Sequence, residues 1–183
     1  MQKMVNTPLT ASAARDLKAG DQVLINGTIY TGRDAAHKRL FELIEADKPL
    51  PMELVDQIIY YVGPCPAKPG QAIGSAGPTT SGRMDAYAPA LLKKGLRGMI
   101  GKGSRNQTVV GSMRENTAVY FAAIGGAGAL LAESVKSAEV IAFPELGAEA
   151  IYRLEVKDFP ATVVIDYQGN DIYEIGREKY RKG

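Results

Sequence analysis

The sequence predicts an α/β protein in which strands and helices alternate along the middle of the chain. Short apolar segments of strand length are separated there by segments whose apolar residues recur at helical spacing. Strand patterns dominate at the two ends. Hydrophobic residues make up 45% and charged residues 23% of the 183 residues, as in ordinary globular proteins. This length favours one domain over residues 1–183, built from layers of sheet and helix.

The first third of the chain contains strand patterns on either side of a long helix. The apolar run around Asn26-Gly27 predicts two short paired strands joined by a tight turn. A helix is predicted from Asp34, a suitable capping residue, to a point before Pro49, because apolar residues recur there at helical spacing. The next predicted elements are a short helix near Met52 and a strand over 58–62.

The remainder of the chain continues the alternation and ends in strands. Helices are predicted over 86–94, 106–115 and 127–136, and strands over 99–100, 119–124, 140–143 and 151–156; the strand 119–124 is predicted to lead into a glycine turn. Gly95 is placed to close the first of these helices. A final hairpin is predicted from the strand 162–166, a turn at Gly169-Asn170 and a second strand at Ile172-Tyr173.

Glycine and proline concentrate in residues 63–82, a long loop of the kind that is usually functional or disordered. The loop leads into the run Gly77-Pro78-Thr79-Thr80-Ser81-Gly82-Arg83-Met84-Asp85. Gly-Pro favours a tight turn, three hydroxyl groups follow it, and the arginine presents a fork that matches a carboxylate. The run therefore predicts a loop that holds a small anionic substrate; the alternative is a solvated loop without function.

Charge and targeting signals narrow the classes of function. The formal net charge is +2, which does not support a strong overall field for nucleic acid or for a membrane surface. The N-terminal residues lack the apolar core of a signal peptide, and no apolar run reaches the roughly 20 residues of a membrane span. We therefore expect a cytoplasmic protein without nucleic-acid or membrane partners.

Cys65 is the single cysteine, so no disulfide can form within the chain. An iron–sulfur cluster held by thiolates needs about three or four cysteines, which this chain does not have. We therefore predict no metal ligand in this chain. Cys65 stands between prolines, and a packed structural thiol is the favoured interpretation over a ligand.

Several segments together resemble a known family. They are 31–39 (TGRDAAHKR), 60–64 (YYVGP), 77–85 (GPTTSGRMD), 98–103 (GMIGKG), 125–127 (GGA), 144–150 (PELGAEA) and 156–160 (VKDFP). In this order they resemble the C-terminal domain, or β subunit, of class I iron–sulfur hydro-lyases, the fumarases and L(+)-tartrate dehydratases. The similarity covers nearly the whole chain. It implies a swivelling β/β/α domain, a fold that the pattern of elements alone does not single out.

The resemblance implies a function and a set of site residues. The family's substrate-binding positions fall on Arg33, Arg83 and Lys102, and the proposed catalytic base falls on Thr79. His37, one helical turn after Arg33, is predicted to contact substrate, to orient Arg33 or to act only as a cap.

The resemblance also implies a partner. A [4Fe-4S] cluster would be bound by a partner α subunit and not by this chain, and the C4 dicarboxylate site would lie at the interface of a hetero-oligomer. The isolated chain could also self-associate.

Three alternatives stay open from the sequence. The substrate is fumarate in the favoured interpretation and L(+)-tartrate in the nearest rival, and the late segments 144–150 and 156–160 lean toward fumarate. A second rival is a non-catalytic module that binds small anions through its glycine-rich loops. A third is a chain that only scaffolds an assembly.

Helix capping or fixing a guanidinium is the expected role of Asp34 and Asp85.

Overall fold

The elements below come from a computed structural model that describes residues 2–124 and 127–180. Its strands are β1 (Lys3–Asn6), β2 (Gln22–Thr31), β3 (Ile58–Tyr60), β4 (Gly98–Gly101), β5 (Val119–Ala122), β6 (Val135–Ala142) and β7 (Ile151–Ile165). Its helices are α1 (Ala11–Arg15), α2 (Asp34–Glu45), α3 (Ala88–Lys93), α4 (Gln107–Asn116), α5 (Gly128–Glu133) and α6 (Ile172–Tyr180). Two 3₁₀ segments, Ser81–Met84 and Pro144–Glu149, complete the described elements.

The strands form one mixed sheet that closes on itself. Strands β1 to β5 run parallel to their neighbours in the order β1-β2-β3-β4-β5, and β7 is antiparallel to β5, β6 and β2. The additional pairing of β2 with β7 joins β2, β3, β4, β5 and β7 into a small barrel. The predicted α/β class is therefore confirmed, with a barrel and helices as its observed form.

Strand residues alternate between two hydrophobic clusters. In β3, Ile58 and Tyr60 belong to a cluster that the strands of the barrel share, whereas Ile59 packs with the helices. Phe121 and Tyr120 of β5 divide between the two clusters in the same way. The second cluster lies under α2, α3 and α4, so both faces of these parallel strands are buried.

Capping explains where several helices begin and end. The Asn106 side chain accepts a hydrogen bond from the Val109 backbone N–H, which starts α4 one residue after the predicted boundary. Gly95, with a φ of +101°, follows α3 as predicted. Asp34 begins α2 as its first residue rather than as its cap, since Arg33 holds the cap position and makes no side-chain cap hydrogen bond.

Asn26-Gly27 does not form the predicted turn. Strand β2 continues through the dipeptide as a bulge against β7, where Gly27 takes a φ of +105°. The Asn26 carboxamide oxygen accepts a hydrogen bond from the Asp158 N–H at 2.9 Å. The 15-residue strand β7 pairs with β2 across this bulge, and that pairing outweighs the local turn preference of Asn-Gly.

Three further elements differ from the sequence pattern. Residues near Met52 form turns rather than a short helix, beside Pro49 and Pro51. Helix α5 ends at Glu133, and the chain then enters β6, within the range predicted as helical.

The predicted final hairpin is reduced to one antiparallel bridge between Ile165 and Asp171, because Asp171 accepts a hydrogen bond from the Tyr173 N–H and α6 begins there. The glycine turn predicted after β5 falls on residues 125–126, outside the described residues. Over 2–124 and 127–180, no helix combines the length and the apolar character needed to cross a membrane.

Candidate functional site

The cations singled out in the sequence follow the carboxyl ends of parallel strands. Arg33 comes two residues after β2 ends, and Lys102 comes directly after β4. Tyr61 extends β3, which lies between these two strands in the sheet. In parallel sheets of α/β proteins the carboxyl edge is the usual place for a ligand, because the loops that leave neighbouring strands meet there. Arg33 and Lys102 therefore belong to the same edge of the barrel.

The glycine-proline run lies between two of these strand ends. The Thr79 N–H donates to the Tyr61 carbonyl at 2.7 Å, and the Lys102 N–H donates to the Thr79 carbonyl at 3.3 Å. The Ser81 N–H donates in turn to the Lys102 carbonyl at 2.9 Å, and Thr80 bridges to Lys102 in parallel register. The backbone thus holds Thr79 and Lys102 side by side, although 22 residues separate them in sequence.

Asp34 joins the two arginines. The Arg83 Nε donates to Asp34 Oδ1 at 2.9 Å, and the Arg33 Nε lies 4.0 Å from Asp34 Oδ2. The Arg83 side chain is 53% exposed. A guanidinium has five N–H donors, so a bond at Nε leaves the two terminal nitrogens able to bind a carboxylate. Asp34 thus fixes a guanidinium, one of its two expected roles.

Arg33 is packed into a polar corner with unpaired atoms. Its Nε is 3.7 Å from Glu149 Oε1, at the end of the 3₁₀ segment Pro144–Glu149. The Arg33 Nε, Glu149 Oε1 and Asp34 Oδ2 are buried and have no hydrogen-bond partner among the described residues. Buried polar groups without partners are costly and rare, and each one calls for a local reason such as a ligand or a water.

Gly63 makes room for the Arg33 side chain. A Cβ built at position 63 would lie 3.1 Å from both Arg33 Cδ and Arg33 Nη1, and 3.2 Å from the Ala148 carbonyl oxygen. These distances are shorter than most Cβ contacts in proteins. The glycine after YYV therefore permits the guanidinium to lie against the backbone.

His37 lies behind Arg33 and is completely buried. Its backbone N–H and its Nδ1 both approach the Arg33 carbonyl at 2.9 Å, and its ring meets the Tyr61 ring edge-on, with the centroids 5.1 Å apart. Because a carbonyl only accepts, Nδ1 carries the proton and Nε2 is left as an acceptor. Burial lowers the pKa of His37 to about 4, so the ring is neutral at pH 7.

This geometry favours one of the three roles predicted for His37. A neutral ring whose single proton points at the Arg33 carbonyl orients the backbone of Arg33. Its Nε2 is buried without a hydrogen-bond partner among the described residues, and a bare acceptor repels a carboxylate. Direct substrate contact by His37 stays a prediction.

Two of the three predicted cations meet through a shared partner, and the backbone of the third is bonded to the glycine-proline run. Arg33 and Arg83 meet at Asp34, and Lys102 is hydrogen-bonded to Thr79 and Ser81. Within the described part of the chain the Lys102 ammonium forms no ion pair. Its convergence with the two guanidinium groups, like the catalytic role of Thr79, stays a prediction.

Sequence reasoning missed the buried Arg105. Its side chain has no exposed surface, and its Nε donates to Asp85 Oδ1 at 2.7 Å. Asp85, expected either to cap a helix or to fix a guanidinium, therefore fixes Arg105 rather than Arg83. Glu149 was missed as well. Arg105 has no local signal, since a loop arginine looks like an ordinary surface residue in a sequence, whereas Glu149 lies in the segment 144–150 on which the resemblance rests.

The residues of this chain do not fit a bound iron–sulfur cluster. Cys65 is the single cysteine and is exposed, so the expectation of a packed thiol is wrong. It lies on the loop after β3, where residues 65–71 are all exposed. Among residues 2–124 and 127–180, no three His, Cys, Asp or Glu side chains gather in a way that could hold a metal ion.

Comparison with known proteins identifies the family. The family model described as "Fumarase C-terminus" matches residues 2–176. The chain belongs to the fumarase C-terminus family. This match includes every segment on which the sequence resemblance rests, and it confirms that resemblance.

Relatives in the family differ in length. The chain is 46% identical over 152 residues to the class I anaerobic fumarate hydratase of Escherichia coli K12, and 42% identical over 156 residues to fumarate hydratase 2 of Leishmania major. These matches cover 82% and 84% of this chain but 28% of each relative. The chain therefore spans about a quarter of the length of these relatives.

A third relative has the size of this chain. It is a provisionally named L(+)-tartrate dehydratase subunit beta from Methanocaldococcus jannaschii, 39% identical over 181 residues. The match covers 95% of this chain and 93% of the relative. The fumarase C-terminus family thus includes both a separate subunit and the corresponding part of a longer chain.

Proposed function

We propose that this chain is the β subunit, or the equivalent part, of an iron–sulfur hydro-lyase that hydrates fumarate reversibly to L-malate. The observation that carries the proposal is the meeting of Arg33 and Arg83 at Asp34, beside the paired backbones of Thr79 and Lys102. The names of the fumarate hydratase relatives support the reaction class. The proposal includes the layered, swivelling arrangement that the resemblance implies, within one domain, and a location in the cytoplasm.

The proposed substrate is a C4 dicarboxylate bound by three cations. Arg33, Arg83 and Lys102 supply three positive charges, and Asp34 and Glu149 contribute two negative charges to the same cluster. These five residues together carry a formal charge of +1, and the carboxylates of the substrate bind the guanidinium donors that the protein leaves free. Terminal nitrogens of an arginine bind a carboxylate in a bidentate way, which orients the planar fumarate skeleton.

Thr79 is the proposed proton-transfer group. Hydration of fumarate adds a hydroxyl at one carbon and a proton at the next, and the reverse reaction removes that proton. A threonine hydroxyl is a weak base, so its alkoxide needs nearby positive charge and hydrogen-bond donors. The proposal assigns this charge to Lys102, whose backbone is bonded to Thr79, and to Arg83, four residues after Thr79.

The proposal assigns the [4Fe-4S] cluster to a partner α subunit. Such a cluster, when bound there, would supply a Lewis acid for the substrate hydroxyl. This chain has one cysteine, so no step through a cluster is assigned to its residues. The longer relatives contain about three quarters of their length outside the matched region, which is where the equivalent of the partner would lie.

A second candidate is L(+)-tartrate dehydratase. The specific observation in its favour is the relative of matching size, whose provisional name is that of a tartrate dehydratase subunit beta. Tartrate differs from malate by one hydroxyl group, and both are C4 dicarboxylates. The same three cations would serve either substrate, so the choice depends on contacts outside this cluster.

Reconstitution with a cysteine-bearing partner tests the proposal. The chain is co-expressed with that partner without oxygen, purified as a complex, and assayed for hydration of fumarate and dehydration of L(+)-tartrate. We expect a brown complex that turns over at least one of the two substrates, and a colourless, inactive chain when the partner is omitted. Cys65→Ser is the control, and it should leave iron content and turnover nearly unchanged.

Three outcomes contradict the proposal. Turnover by the chain alone would show that it needs no cluster-bearing partner. A stable complex that binds dicarboxylates but dehydrates neither malate nor tartrate would favour the small-anion-binding module. Loss of iron in the Cys65→Ser complex would show that this thiol is a cluster ligand.

A further inference from the structure

Arg105 is buried at the centre of a group of side chains that the proposed reaction does not use. Its guanidinium carbon lies 5.3 Å from the ring centroid of Tyr61 and 5.1 Å from that of Tyr120. Its Nη2 donates to the Tyr61 hydroxyl at 3.3 Å, and its Nε donates to Asp85 Oδ1 at 2.7 Å. The guanidinium is thus held by two aromatic faces and one carboxylate, with its side chain fully removed from solvent.

The partners of Arg105 connect the two segments that carry the proposed site. Asp85 ends the 3₁₀ turn that contains Arg83, and its second oxygen accepts from the Asn106 N–H at 2.8 Å. One carboxylate therefore ties the turn to both residues 105 and 106. These residues follow Lys102 on the loop that leaves β4.

Tyr120 makes a second connection between the same segments. Its hydroxyl donates to the Gly103 carbonyl at 2.8 Å and lies 2.8 Å from Ser81 Oγ. Because the tyrosine proton is used on Gly103, the serine hydroxyl donates to the tyrosine oxygen. The Arg105 guanidinium lies against this ring and also against Tyr61, whose carbonyl accepts the Thr79 N–H.

We propose that Arg105 is a positioning residue, which holds the turn 81–85 and the loop 102–106 in the arrangement that the substrate requires. It acts through Asp85 and the two tyrosines and does not touch substrate. This inference rests on the proposed function, since the turn carries Arg83 and the loop begins at Lys102.

Physical chemistry favours positioning over stability as its role. Taking a guanidinium and a carboxylate out of water is costly, and buried ion pairs are often replaced by apolar residues without loss of stability. An apolar residue at 105 could fill the space between the rings, but it could not hold the Asp85 carboxylate. The planar fork binds Asp85 at Nε and Tyr61 at Nη2 at the same time, which an ammonium group cannot reproduce.

Arg97 provides a matched control. It is also largely buried and also paired with an aspartate, since its Nη2 donates to Asp56 Oδ1 at 2.8 Å and its Nε to the same oxygen at 3.0 Å. It precedes β4, however, and so lies at the end of the strand opposite to Lys102. Its substitution removes a comparable ion pair without touching the turn 81–85.

The first measurement is hydrogen exchange in the 183-residue chain. The variants are Arg105→Lys, Arg105→Met and Asp85→Asn, with Arg97→Lys and Arg97→Met as controls. We expect amide exchange in the turn 81–85 to be at least about tenfold faster in the first three variants than in controls of equal Tm. If Arg105→Met does not fold, Arg105→Lys and Asp85→Asn decide the same point.

The second measurement is turnover by the assembled enzyme. A misplacement of about 1 Å at a reacting group can cost on the order of 100-fold, so kcat should fall about 10- to 100-fold in Arg105→Lys and stay within about threefold in Arg97→Lys. The pH profile of kcat should keep its shape, because Arg105 transfers no proton. Unchanged exchange at 81–85, or equal losses of kcat in the Arg105 and Arg97 variants, would overturn the inference.

The two measurements separate this inference from the proposed function. Exchange is measured on the chain alone and needs no substrate. If the wild-type complex turns over neither fumarate nor tartrate, the proposed function fails, while the exchange result still decides whether Arg105 holds the turn.

Discussion

Replacing Gly101 with alanine tests how tightly the glycine-proline run is packed against β4. A Cβ built at position 101 would overlap Ser81 Oγ, and would lie 3.0 Å from Tyr61 Cδ2 and 3.3 Å from Ser81 Cβ. Ser81 cannot move aside freely, because it is fully buried, its N–H is bonded to the Lys102 carbonyl, and its hydroxyl is bonded to Tyr120. The added methyl group must therefore displace either the run or the strand.

The expected loss of stability follows from this overlap. Overpacking a well-packed core typically costs about 1–3 kcal/mol, and the burial and two hydrogen bonds of Ser81 put Gly101→Ala near about 2 kcal/mol. For a chain of 183 residues this corresponds to a decrease of about 4–8 °C in Tm. Because the displaced run carries Thr79, we also expect dicarboxylate binding and kcat to fall.

A double-mutant cycle makes the reasoning refutable. Ser81→Ala removes the overlapping oxygen and by itself costs about 1 kcal/mol, the loss of one hydrogen bond. Urea unfolding of Gly101→Ala, Ser81→Ala and the double variant should show that the double variant is about 1–2 kcal/mol more stable than additivity predicts. The control is Gly111→Ala in α4, where a Cβ meets no atom within 4 Å and should stabilise the chain by about 0.5–1 kcal/mol. Additive losses, or a Gly101→Ala chain as stable as the wild type, would show that the run is not packed as described.

Three further predictions concern the residues of the site. Burial lowers the pKa of His37 from 6.5 to about 4, so the neutral ring contributes about 3 kcal/mol to stability above pH 6.5, and this contribution is lost as the pH falls toward 4. The NMR signal of the single imidazole should therefore not titrate above about pH 5. His37→Asn should flatten the dependence of stability on pH between 6.5 and 4. Thr79→Ala should lower kcat about 10²–10⁴-fold with little change in KM, whereas Thr80→Ala should do less, and equal small effects would favour a turn-capping role. Gly63→Ala should displace the Arg33 guanidinium and raise the Kd for a dicarboxylate by about three- to tenfold without removing a charge, and calorimetry that finds an unchanged Kd would show that Arg33 does not bind the ligand.

The secondary structure was predictable where local signals agreed with tertiary pairing. Helix α2 and strand β4 appear where apolar spacing placed them, because their buried faces are the ones that the sequence pattern marks. The prediction was wrong at Asn26-Gly27, where a turn signal lies inside a continuous strand. There the partner strand β7, more than 120 residues away, supplies the hydrogen bonds that override the local preference.

The sequence by itself determined the family, the positions of the candidate cations and the need for a partner if a cluster takes part. These conclusions depend only on residue identity, order and count: the ordered segments, the arginines and lysine beside glycines, and one cysteine. Tertiary structure alone decided which charged groups pair. Asp34 accepts a hydrogen bond from Arg83 across 49 residues and Asp85 accepts one from Arg105 across 20, whereas the adjacent Arg33 and Asp34 form an ion pair at 4.0 Å without a hydrogen bond. The physical reason is that ion pairs and burial depend on distances in space, and the closing of the parallel strands into a barrel sets those distances for residues that the sequence keeps far apart.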